Sequence, residues 1–312
     1  MNKAGRIPSL WTELCRPTIR RNDTLKRRGC RALLEAAGRH RTFVSYRGNC
    51  GGCDVMTKHN DRFQTGSESY AQFRPRYPDG IVRRVAQRIA AAPVSTALSV
   101  LDVGSGTGIF TRQLAVALPA GMPLVGIEPS LRMREQAMAQ PSLPTVSYVD
   151  GDAEHLPVVE GGARALVAAT AAHWFDRPAF YREAARALSS GGILAIVEYV
   201  RDEHSQAARA VLEFLARYGE ERAYSRPDYA GELGALVGFA EFEETREQIM
   251  LALSLTEFVG LALSSSHARK VVEDLGPAEA KARLELIGSD LVGEDGKVPF
   301  GYSFQAFMTK RT

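Results

Sequence analysis

The sequence predicts an α/β fold: a doubly wound, mostly parallel sheet with a helical cap inserted near the C-terminus. Three observations predict it. Between Pro78 and Val197, five short apolar runs alternate with helical patterns, the rhythm of a parallel sheet covered on both faces. The first of those runs ends in a glycine-rich loop that opens a helix. After Tyr199 the rhythm changes to two long alternating strands separated by a helical stretch.

The elements follow in chain order. Ile81, Val82, Val85 and Ile89 share one helical face, with Asp79 as the expected cap. Leu98 to Val103 is a β-branched apolar run closed by glycines, a buried strand. Ile109 to Leu118 reads as a helix, Leu124 to Ile127 as the second strand, and Leu131 to Gln140 as a helix capped by Ser130. Val146 to Val149 and Ala165 to Ala169 are strands three and four. Pro178 to Leu188 is a helix with Phe180, Ala184 and Leu188 stacked, and Gly191-Gly192 turns the chain into a fifth strand, Ile193 to Val197. Beyond it, Ala207 to Tyr218 is an amphipathic helix. Phe239 to Met250 alternates like a strand with one wet face, Leu255 to Leu263 and Pro277 to Ile287 are helices, and Val298 to Thr309 is the last strand.

Composition sets the class. The 312 residues are 45% hydrophobic and 24% charged, which excludes a wholly disordered, collagenous or disulfide-scaffold chain. No run approaches the ~18 apolar residues that a membrane helix needs, so no membrane partner is expected. The charge is uneven. Residues 1–55 hold 12 Lys+Arg against 4 Asp+Glu, and the remainder 27 against 32. All four cysteines, Cys15, Cys30, Cys50 and Cys53, fall in the basic stretch. A body without cysteine suits a reducing, cytoplasmic setting.

Three readings compete for residues 1–55. Cys50-Gly-Gly-Cys53 is a C-x-x-C pair, but no second pair stands at zinc-site spacing, so no metal is expected. The Arg20-Arg21 and Lys26-Arg27-Arg28 clusters suit a nucleic-acid arm or a targeting peptide, yet aromatic interleaving and an apolar h-region are both lacking. The favoured reading is a poorly ordered extension or a start called too early, since Met56 itself opens a segment like a natural protein start. The expected organisation is therefore 1–55 extension, 56–80 lid, 81–200 cofactor-binding core, and 201–312 the last two strands with a helical substrate cap.

The chemistry centres on Val100-Leu-Asp102-Val-Gly104-Ser105-Gly106-Thr-Gly108. Backbone amides at a helix start meet negative charge, and glycines allow close approach. A nicotinamide site wants G-x-G-x-x-G, with the third glycine where Ile109 stands. A P-loop wants Gly-Lys-Ser/Thr, which does not follow. Asp102, two residues before the first glycine, suits a ligand that bears an amine rather than a pyrophosphate.

This stretch resembles the class I S-adenosylmethionine-dependent methyltransferases, which have a Rossmann-like, seven-stranded sheet. The resemblance covers residues 63 to 200 and continues in register. Gly126-Ile-Glu128-Pro129 places an acid at the end of strand two, where the family binds the ribose hydroxyls. Gly151-Asp152-Ala153-Glu154 resembles the third-strand motif, whose Asp contacts the adenine amine. Ala171-Ala-His173-Trp174 ends strand four, and Leu188-Ser-Ser-Gly191-Gly192 resembles the turn before strand five. What the resemblance implies is S-adenosylmethionine held by Asp102, Gly104, Ser105, Gly106, Gly108, Glu128, Pro129, Met133, Asp152, Ala153, Glu154 and Ala171. Four of them have a plainer alternative: Glu128 a surface acid, Asp152 a turn residue, Glu154 a cap or a solvent-facing acid, Met133 a core residue.

Upstream, Tyr70-Ala-Gln-Phe-Arg74-Pro-Arg-Tyr77-Pro78 looks like the lid of a small-molecule branch that includes trans-aconitate methyltransferase-like enzymes. There the aromatic and the arginine, here Tyr70 and Arg74, close over the methionine part of the cofactor. His173 and Trp174 shape the acceptor pocket, with His173 a weak candidate base. Arg201, Arg209, Arg217, Arg222, Arg226 and Arg269 are candidates to grip an acidic acceptor. The expected function is methyl transfer to a small molecule, a carboxylic acid first. The alternatives are an O- or C-methyltransferase of secondary metabolism and a cofactor-binding protein without catalysis. A nucleic-acid substrate is disfavoured, because the acidic body shows no basic stripe and no Asn/Asp-Pro-Pro-aromatic motif ends strand four.

Overall fold

The computed structural model describes residues 75–218, 227–265 and 268–312. The expectations for residues 1–55, including all four cysteines, and for Tyr70, Arg74, Arg222 and Arg226 lie outside the described residues.

Seven strands form one sheet in the order β3-β2-β1-β4-β5-β7-β6. They are β1 (Ser99–Val103), β2 (Leu124–Ile127), β3 (Val146–Val149), β4 (Ala163–Ala169), β5 (Leu188–Arg201), β6 (Phe239–Leu253) and β7 (Val298–Arg311). The first five run parallel, while β7 pairs antiparallel with both β5 and β6. The chain order reverses beside β1, where β2 lies on one side and β4 on the other. That switch point opens a crevice at the carboxyl ends of the strands, where open α/β sheets bind ligands.

Period-two geometry explains why these runs carry no polar alternation. Along β4, Ala165 and Val167 face one core and Leu166 and Ala168 the other, all fully buried. The first core is covered by α1 (Asp79–Ala90), α2 (Ile109–Ala117), α5 (Gln206–Tyr218) and the three helices between β6 and β7: α7 (Leu255–Leu263), α8 (Ala268–Leu275) and α9 (Pro277–Ser289). The second is covered by α4 (Arg177–Ala187) and the short α6 (Tyr229–Gly234). Helix α3 (Leu131–Ala139) buries only Met133 and Ala137, as befits an edge position.

The four expected apolar positions of α1 are all buried. Its cap differs from expectation. Pro78 stands at the N-cap, no side chain caps the helix, and Asp79 is instead an acid in the first turn. Ser130 does cap α3, accepting from Met133 N at 3.4 Å. Leu188 is not the end of α4 but the first residue of β5, and the strand passes through Gly191 at φ +81° as a register irregularity. Helices α7 to α9 share the main core: Phe258, Leu261, Val271 and Leu284 are buried together with Phe300 and Phe304 of β7.

Candidate functional site

A cleft opens at the switch point. Its described lining comes from Pro75 and Tyr77, the β1–α2 loop with Ile109 and Phe110, and the ends of β4 and β5 at Ala169, Thr170 and Tyr199. Asp102 is the one charged residue among the described lining.

The loop is shaped by its glycines. Gly104, Gly106 and Gly108 have φ of +70°, +55° and +75°, a region costly for residues with a Cβ. Space matters as well as torsion. A Cβ on Gly104 would stand 2.7 Å from Ala171 Cβ, and one on Gly108 would stand 2.7 Å from an Arg112 guanidinium nitrogen. Ala171 and Phe175 therefore pack directly beneath the loop. Met133 lies under Gly106, its sulfur 3.9 Å from where a Cβ would be.

Two buried carboxyls flank the loop. Asp102, 1% exposed, accepts the Thr111 hydroxyl on Oδ2 at 2.6 Å, while Oδ1 has no hydrogen-bond partner among the described residues. Burial pushes its pKa up to about 7, the Thr111 bond opposes the rise, and Glu128 adds to it. Glu128, 7% exposed at the end of β2, accepts Gly106 N on Oε2 and Ser130 N on Oε1, both at 2.9 Å. Burial raises its pKa, and the two backbone donors oppose that rise. It thus braces the glycine loop and the start of α3 at once, a structural duty that sequence reasoning did not assign. The buried Ser105 hydroxyl also lacks a partner among the described residues.

The remaining sequence candidates fall as follows. Pro129 is exposed and Ala153 buried. Asp152 accepts Glu154 N and contacts the His155 ring. Glu154 accepts Asp176 N at 2.9 Å, tying the loop after β3 to the start of α4. His173 and Trp174 form a single 3-10 turn after β4, half-buried, with ring centroids 4.8 Å apart, and neither is in the lining. Arg201 is half-buried at the end of β5, Arg209 and Arg217 are exposed, and Arg269 pairs with Glu273 at 2.9 Å.

Reasoning from sequence missed Tyr77 and Thr170. Tyr77 is clamped at both backbone groups by the Gln113 amide, N to Oε1 at 3.1 Å and Nε2 to O at 2.8 Å. Its hydroxyl lies 2.7 Å from Thr170 Oγ1.

S-adenosylmethionine fits this site. The loop offers backbone unobstructed by side chains, Asp102 keeps a buried oxygen for an ammonium group, and each Glu128 oxygen keeps a lone pair for a hydroxyl. Glu128→Gln is expected to weaken S-adenosylhomocysteine binding by about 1.5–3 kcal/mol, because it removes charge-assisted bonds. Its melting temperature should fall too, since one oxygen bracing the backbone becomes an NH₂ group. Calorimetry showing unchanged affinity would remove Glu128 from the site.

Residues 101–196 match the model of a family described as a methyltransferase domain. An uncharacterized methyltransferase of Mycobacterium tuberculosis is 31% identical over 162 residues, 51% of this chain and 60% of that protein. The match thus spans about 60% of the length of that curated relative. A malonyl-[acyl-carrier protein] O-methyltransferase of Dechloromonas aromatica is 27% identical over 180 residues, 56% of this chain and 66% of that one. The solved structure of a candidate type II methyltransferase from Anaeromyxobacter dehalogenans superposes with a TM-score of 0.58 at 22% identity, covering 77% of this chain and 98% of that one, a likeness of fold. Residues 101–196 thus match a methyltransferase domain, and the loop and its two carboxyls stand in the place this fold reserves for a ligand.

Proposed function

We propose that this chain transfers a methyl group from S-adenosylmethionine to an oxygen of a small molecule, a carboxylic acid first. The carrying observation is the glycine loop set between buried Asp102 and Glu128. The cofactor supplies a methyl carbon already activated by a sulfonium. The acceptor oxygen bonds to that carbon as the carbon–sulfur bond breaks and its electron pair passes to sulfur. A carboxylate, ionised above about pH 4, loses no proton in this step and needs no base. That fits a cleft whose described lining contains no histidine. The protein's work is then alignment and exclusion of water. The relative from Dechloromonas aromatica, named as an O-methyltransferase of a malonyl group, supports an acid acceptor. The acidic balance of residues 56–312 speaks for a small molecule over nucleic acid.

The test has two stages. S-adenosylhomocysteine should bind about tenfold or more tightly than NAD or ATP. Radiolabelled methyl release should then be fastest with carboxylic acids in a panel that also holds phenols and amines. Turnover confined to amines would overturn the acid reading, and tighter NAD binding would overturn the activity itself.

A further inference from the structure

Thr170 carries a conformational cost that the fold alone does not require. It is a β-branched residue at φ +52° at the end of β4. A non-glycine residue pays a conformational cost there, and such strain gathers at functional sites. The surroundings hold it in place. Thr170 N donates to Val197 O at 2.6 Å, and the Thr170 hydroxyl meets that of Tyr77 at 2.7 Å. Tyr77 is itself fixed by Gln113 and by edge contacts of its ring with Phe110, Tyr199 and Phe304. The strained hydroxyl, half-exposed, lines the same cleft as the glycine loop.

We infer that the Tyr77–Thr170 hydroxyl pair is the acceptor-binding element of the cleft, and that it takes a monocarboxylate on a flat apolar body rather than a polyacid. This rests on the methyl-transfer reading above. When Tyr77 donates to Thr170, the Thr170 hydroxyl keeps its own hydrogen for an acceptor oxygen. A bond donated in series is strengthened by the one behind it. A carboxylate held by one oxygen leaves the other to receive the methyl group. Tyr77, Phe110 and Tyr199 supply aromatic walls for the apolar body. The charge balance limits the acceptor. No described lining residue is basic, so a second carboxylate on the acceptor would meet no cation among the described lining. Arg201, Arg209, Arg217 and Arg269 lie outside the described lining.

The test uses the full chain saturated with S-adenosylhomocysteine, with benzoate and citrate as probes in calorimetry. Benzoate should bind more tightly than citrate. Tyr77→Phe and Thr170→Val, which keep shape and packing, should each weaken benzoate about fivefold or more, the loss of one hydrogen bond. Thr170→Ser should restore it, with each variant kept saturated with S-adenosylhomocysteine. Benzoate affinity unchanged in both variants, citrate the tighter ligand, or no benzoate binding to the loaded protein would each overturn the inference. If S-adenosylhomocysteine itself fails to bind, the methyl-transfer reading is what fails, and the acceptor site falls with it.

Discussion

Arg164→Met will lower the stability of this fold by about 3–5 kcal/mol, and its melting temperature by roughly 10 °C or more. Arg164 lies on β4 and is 1% exposed. Its guanidinium donates to the carbonyls of Ile89, Ala90 and Ala92 at 2.9–3.1 Å and also to that of Val94. The carbonyls of Ile89 and Ala90 end α1, where the helix dipole is negative, and those of Ala92 and Val94 follow in the turn after it. No acid pairs with it among the described residues, and burial lowers its pKa without discharging it. Methionine fills the stem but leaves several buried acceptors unsatisfied, each costing about 1–3 kcal/mol. Arg164→Lys should recover only part of the loss, because an ammonium cannot span a fork of carbonyls. Thermal and urea unfolding of both variants test this. A loss under about 1 kcal/mol for the methionine variant would mean that water replaces the guanidinium.

Arg164 also shows what the sequence hid. The fourth strand is expected from Ala165, because a lone cation interrupts the apolar run, yet β4 begins at Ala163 and carries the arginine inside. Nothing local announces that a helix C-terminus waits to receive it. Strands with β-branched residues closed by glycines were legible, β1 and β2 above all, because burial on both faces leaves only apolar side chains. So was the α3 cap at Ser130, since capping is a local bond. Helix α6 was missed because Gly231 and Gly234 dilute its pattern, and α8 because its eight residues make barely two turns. At the site, the loop and Glu128 were legible through spacing. Thr170 was not, because a left-handed threonine has no signature in sequence and is fixed by a tyrosine 93 residues away.

Asp102→Asn will make the empty protein more stable and the cofactor site worse, and the gain in stability will depend on pH. In the folded chain burial disfavours the charge and pushes the Asp102 carboxyl from its ordinary 3.8 up to about 7. Between those values the folded chain holds a proton that the unfolded chain has lost. Stability therefore falls as pH rises from about 4 to about 7 and is level above that. Asparagine keeps the shape and an oxygen for Thr111 while removing the charge. It should stabilise the protein by about 1–3 kcal/mol at pH 8, and by less at pH 5, where the native aspartic acid is already protonated. Binding has the opposite sign. An ammonium group beside Oδ1 favours the ionised carboxylate, so S-adenosylhomocysteine affinity should rise with pH through 7 and release a proton below it. The variant should lose both the pH dependence and about 1.5–3 kcal/mol of affinity. Paired melting curves at pH 5 and 8, with calorimetry in two buffers of different ionisation enthalpy, read both effects. An equal shift in melting temperature at the two pH values would show that Asp102 is ionised throughout. In that case its unpartnered oxygen is satisfied by water, and the stability given up at this position is not what holds the cofactor.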